Sequence, residues 1–121
     1  GMGDGALIQQ SEKEQAGHCW AALSILQLAA SRGNATAARK LGWMYSEGIF
    51  VPKDLDVGLE FYRLAAELGD ADAMFRYAAT LKTTAATKQD WDVVFMYLER
   101  ASENGVLPAQ LVLAKTLAEH G

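Results

Sequence analysis

The sequence predicts an all-α protein, an α-solenoid of antiparallel helix pairs, on three observations. Composition is the first: 21 alanines and 15 leucines stand against 15 valines, isoleucines and threonines together, which favours helix over sheet. The second is an internal repeat of 36 residues. Segment 34–69 aligns without a gap on 70–105, with eight identities at Ala35/Ala71, Ala37/Ala73, Asp54/Asp90, Asp56/Asp92, Val57/Val93, Ala65/Ala101, Glu67/Glu103 and Gly69/Gly105. The third is a glycine at the same phase, Gly33, Gly69 and Gly105, after each of three helix-length apolar patterns. With 121 residues, half of them apolar and only two prolines, the chain is long enough for one domain with a real core.

Each element follows from its local pattern. Residues 1–18 comprise a Gly1-Met2 start that reads as a tag-cleavage scar, then a weakly structured or short helical segment within 6–16. Helices are expected near 19–32, 35–47, 55–68, 71–83, 90–104 and 107–119. Cys19–Ser31 is the second helix of an incomplete unit, because Ala29-Ala30 and Gly33 fall 36 residues before Ala65-Ala66 and Gly69. In the first full unit, Ala38, Leu41, Gly42 and Tyr45 are spaced as one face of a helix, which Gly48 and Pro52 end. Asp54 is placed to cap the second helix, Asp56 puts negative charge in its first turn, and Leu59, Tyr62 and Ala66 form its buried stripe. The next unit repeats this plan with Thr84 in place of the loop glycine. Ala109, Leu113, Ala114 and Leu117 then continue Ala73, Tyr77, Ala78 and Leu81 as a first helix without a partner. The repeat domain, 19–121, divides into a half repeat 19–33, repeats 34–69 and 70–105, and a half repeat 106–121.

On these residues the chain resembles the Sel-1-like repeats, relatives of the tetratricopeptide repeats. Ala37, Leu41-Gly42, Tyr45, Gly48, Val51, Asp54, Tyr62, Ala65-Ala66 and Gly69 fall where that family has them. The resemblance covers roughly 19–120 and is strongest in 34–69. It implies a right-handed solenoid, first helices lining a concave surface, and adaptor or scaffold work between proteins without chemistry of its own. Phe50 stands where the family has a second glycine, and phenylalanine at positive φ is strained, so that loop is expected to differ from the family's.

Charge narrows the functions further. Eleven basic against fifteen acidic residues, net −4 and interspersed, argue against nucleic acid and anionic membranes, both of which need clustered Lys and Arg. The longest uncharged stretch, Gln15 to Ser31, carries His18, Ser24 and Gln27 and is no membrane span. If Met2 is the native start, the expected location is the cytoplasm, in keeping with a single cysteine.

No pattern points to catalysis, a cofactor or a metal. The Asp54/Asp56 and Asp90/Asp92 pairs recur at helix starts and read as caps. His18 and Cys19 are adjacent, so on a helix they diverge by about 100° and read as structural. His120 has no partner visible in the sequence. Tyr45, Phe61, Tyr62, Phe95 and Tyr97 follow packing phases.

Trp43 does not follow one. It lies about 150° around its helix from the buried stripe, on the face that a tetratricopeptide-like stack turns to its groove. The expected partner-binding groove comprises Arg39, Trp43, Ser46, Glu47, Phe75, Ala79, Lys82, Leu111 and Lys115. Arg39, Phe75 and Leu111 share one repeat phase and should line up as a ladder across three first helices. The functional expectation is a module holding a peptide or helix of another protein there. The alternative is a structural protein that self-associates as a weak homodimer through its open ends, suggested by Val112 where the preceding units carry Lys40 and Arg76.

Overall fold

The computed structural model describes residues 20–120. Six helices follow one another: α1 over 20–31, α2 (Ala35–Glu47), α3 (Leu55–Glu67), α4 (Ala71–Thr84), α5 (Lys88–Glu103) and α6 (Leu107–His120). From α2 onward each packs on the next, and α1 adds Leu23 and Ala30 to the same core. The helices therefore pack in consecutive pairs, as the repeat predicts. The segment 6–16, His18 and Cys19 lie outside the described residues.

The recurrent glycines stop three helices in one way. Gly33, Gly69 and Gly105 take φ of 89°, 98° and 87°, a conformation that costs a glycine nothing. The next amide then reaches back five residues, Asn34 to Ala29, Asp70 to Ala65 and Val106 to Ala101, each at 3.0 Å. Asn34 and Asp70 immediately cap the following helix, accepting from the amides of Ala37 and Ala73. Three residues thus separate one helix from the next at each of these junctions, in keeping with the stacking of equal units.

The second unit departs from the first at its internal loop. Asp54 caps α3 as expected, accepting from Val57. Asp90 does not cap α5: Thr87 does, and Asp90 completes a capping box by accepting from the Thr87 amide. Without a glycine at Thr84, α4 runs through that residue and ends at Ala85 in extended conformation, so α5 starts at Lys88. Backbone amides of Ala86 and then Thr87 hold the Asp90 carboxyl below its usual range.

Small residues set the helix spacing. Ala38, Ala65, Ala73, Ala78, Ala101 and Ala109 are fully buried with Leu41, Val94 and Leu98. Gly42 lies under the Tyr62 ring, Gly58 lies against the backbone of α2, and Tyr45 stacks on Phe61 with centroids 5.8 Å apart. Replacing Ala65 by leucine is expected to cost about 1–3 kcal/mol in urea denaturation, since the added atoms have nowhere to go. A neutral result would mean that Ala65 is not at a helix crossing.

Burial also raises the Tyr62 and Tyr77 phenols above their ordinary value of 10.0, more than nearby Arg76 and Arg63 lower them. Both are acids held neutral in the fold, so their contribution is complete below pH 10 and is lost as pH rises through the folded values. Thermal melts followed by circular dichroism should show stability falling above pH 10, less steeply in Tyr62→Phe.

At the C-terminal end, Val112 and Leu113 pack half-buried on the core, whereas Leu107, Leu111 and Leu117 are exposed. Thr116 is fully buried there and donates to the Val112 carbonyl at 2.6 Å. His120, without a visible partner in the sequence, stacks on Trp91 at 4.2 Å. Phe95 is half-buried and tilted against the same indole rather than set in the core.

Candidate functional site

The first helices α2, α4 and α6 are tied side by side through polar side chains. Arg39 Nε of α2 donates to the Asp70 carboxylate that caps α4, at 3.2 Å. Lys82 Nζ of α4 donates to Thr116 Oγ1 of α6 at 3.1 Å. These two links hold three first helices as one surface, on which the expected groove residues can be located.

Several of them stand where the spacing puts them. Trp43 keeps 42% of its surface accessible, Leu111 keeps 76%, and Glu47 and Lys115 are exposed. Phase places Arg39, Phe75 and Leu111 on successive helices, but they are not equivalent as contacts. Phe75 and Ala79 are half-buried, and Arg39 is committed to Asp70. Lys82 is likewise a link between α4 and α6 rather than an open cation.

Ser46 is not in the groove at all. It is buried in the α2–α3 contact opposite Gly58, near the Tyr62 phenol, and its hydroxyl has no hydrogen-bond partner of acceptable geometry among the described residues. Its position four residues after Gly42 carried that information, because i and i+4 share a helix face.

Around Trp43 the structure forms a cleft of ≈ 340 Å³, and most of its lining was not singled out from the sequence. Leu26 of α1, Arg39, Lys40 and Met44 of α2, Arg76 of α4 and Phe50 of the loop after α2 line it with Trp43. Phe50 is the unexpected member. Its loop keeps the left-handed conformation of a glycine, with φ 62°, and the ring is 71% exposed. A phenylalanine in that region carries backbone strain of about 1–3 kcal/mol. A second cleft of ≈ 390 Å³ follows between α4 and the start of α6, lined by Asp72, Phe75, Arg76, Leu107 and Pro108 among others. Arg76 borders both, so the two clefts are consecutive along the stack.

Chemically, this surface offers aromatic and aliphatic anchors beside guanidinium and ammonium groups. No cluster of three His, Cys, Asp or Glu able to hold a metal ion occurs among the described residues. No helix among them is long and apolar enough to cross a membrane.

Comparisons with known proteins agree with the architecture. Residues 35–70 and 95–106 match the model of the Sel1 repeat. The fold is similar to the crystal structure of a Sel1 repeat protein from Oxalobacter formigenes, with a TM-score of 0.66 and 26% identity. That match covers 78% of this chain and 71% of the other. No curated protein matches the sequence. Sel1 repeats are helical modules that generally mediate protein interactions. The first matched range spans one complete helix pair, α2 and α3, and the second covers the later part of α5 and the loop that follows it, so these parts of the chain match the Sel1 repeat.

Proposed function

We propose that this chain is a protein-interaction module whose work is binding rather than catalysis, and that it holds a segment of another protein along the face of α2, α4 and α6. The observation that carries this reading is the half-exposed Trp43, which lines a cleft whose other residues are aromatic, aliphatic and cationic. Tryptophan and arginine are the residues most often found where truncation costs binding energy. Leu111 and Leu107 extend apolar surface toward the second cleft, which gives a bound segment a path across more than one unit.

Affinity enrichment from the native host, read by mass spectrometry, tests the proposal when wild type is compared with Trp43→Ala and with Glu60→Ala on an exposed face of α3. The expected result is a protein retained by wild type and Glu60→Ala and lost with Trp43→Ala. Equal retention by all three would move the binding surface elsewhere.

Self-association is a second reading, favoured by apolar side chains exposed at both ends of the stack: Trp20, Ile25 and Leu28 on α1, and Leu107, Leu111 and Leu117 on α6. Sedimentation should then show a concentration-dependent dimer that Leu117→Glu abolishes. A monomer at millimolar concentration would dismiss this reading.

A further inference from the structure

We infer that the occupant of the Trp43 cleft is an acidic peptide segment carrying one bulky apolar side chain. This rests on the proposed reading of the α2–α4–α6 face as a binding surface and adds the chemistry of the partner.

Charge is the first support. The chain is net −4, yet none of the residues lining the cleft is acidic and three are basic, Arg39, Lys40 and Arg76. Arg39 is neutralised by Asp70. Lys40 and Arg76 are exposed and have no carboxylate partner among the described residues. Arg76 lies near the Tyr62 phenol, whose pKa it lowers against the effect of burial. Carboxylates of a bound segment would find two cations in place, one of them able to bond in bidentate fashion.

The second support is the aromatic wall. Phe50 accepts a strained backbone and an exposed ring where glycine would sit without penalty. In this position Phe50 lines the cleft together with Trp43, Met44 and Leu26. The cavity, ≈ 340 Å³, is within the range of natural ligand pockets and takes a leucine- to tryptophan-sized side chain. Strain held at an exposed residue is the pattern expected of a binding device. The two halves of the cleft thus ask for two features in one segment, an apolar anchor and adjacent carboxylates.

Selection of random dodecapeptides displayed on phage against the full chain, and in parallel against Trp43→Ala, tests this. The expected peptides depend on Trp43 and combine two or more Asp or Glu with a Leu, Phe or Trp. A synthetic copy should bind about tenfold or more weaker to Lys40→Glu and to Arg76→Glu, the scale of one lost ion pair. Phe50→Gly should weaken it comparably while the melting temperature stays at or above that of wild type, which a purely structural Phe50 would not allow. Trp43-dependent peptides that are neutral or basic would overturn the acidic assignment and leave the binding face standing. Absence of any Trp43-dependent peptide would overturn both. Displacement of the selected peptides by a synthetic peptide of residues 4–17 would assign the cleft to the chain's own N-terminal segment and overturn the proposal.

Discussion

Replacing Gly58 by alanine is expected to destabilise the fold by about 2–3 kcal/mol, although alanine is the better helix former by about 1 kcal/mol. A Cβ at this position would stand 2.9 Å from the Gly42 carbonyl oxygen and 2.9 Å from the Ser46 amide nitrogen. Both are helix backbone, which cannot rotate aside, so α2 and α3 would have to separate. Separation would loosen the Tyr45–Phe61 stack and the Tyr62 ring over Gly42 together. Gly42→Ala is expected to destabilise as well, since its Cβ would meet the Tyr62 ring, which is itself buried, although no backbone atom is in the way. Urea denaturation of the two variants measures both losses. A Gly58→Ala protein as stable as wild type would show that the helices do not cross at that point.

Leu98→Ala is expected to cost about 2–5 kcal/mol, because Leu98 is fully buried and a cavity remains when it is truncated. The loss should also be local. Leu98 lies in α5, which packs on α4 and on α6, and units of a stack contact only their neighbours. Hydrogen exchange in Leu98→Ala should therefore show α6 losing protection before α2 and α3 do. Uniform loss across all helices would indicate a single cooperative block instead.

Much of this was legible in the sequence because the repeat states each position twice. Gly69 and Gly105 were recognisable as helix stops since Gly33 precedes them at the same spacing, and all three take the left-handed conformation. Where the two units differ, reading one from the other failed. Asp90 was read through Asp54, but Thr87 lies three residues before it and captures the cap, which lengthens α5.

The site was less legible than the fold. Trp43 was found because it breaks a buried stripe. Lys40 and Arg76 entered the sequence analysis only as the charged counterparts of Val112, and it is the packing of α4 beside α2 that brings them to one cleft with Trp43. Phe50 was noticed as an anomaly, yet the expectation was that its loop would change shape. The residue does take a positive φ, 62°, and with it the strain. Ser46 was misplaced and Lys82 is engaged with Thr116 for a common reason: helical phase predicts a direction but not the neighbour that fills it.

The central claim is that the Trp43 face serves binding and not folding. Isothermal titration of a Trp43-dependent peptide into wild type and Trp43→Ala, with thermal melts of the same samples, tests it most directly. The account predicts a binding loss of about 2–4 kcal/mol with a stability change below about 1 kcal/mol for a side chain that is already 42% exposed. A Trp43→Ala protein that melts as far below wild type as Leu98→Ala, or that binds the peptide undiminished, would contradict it.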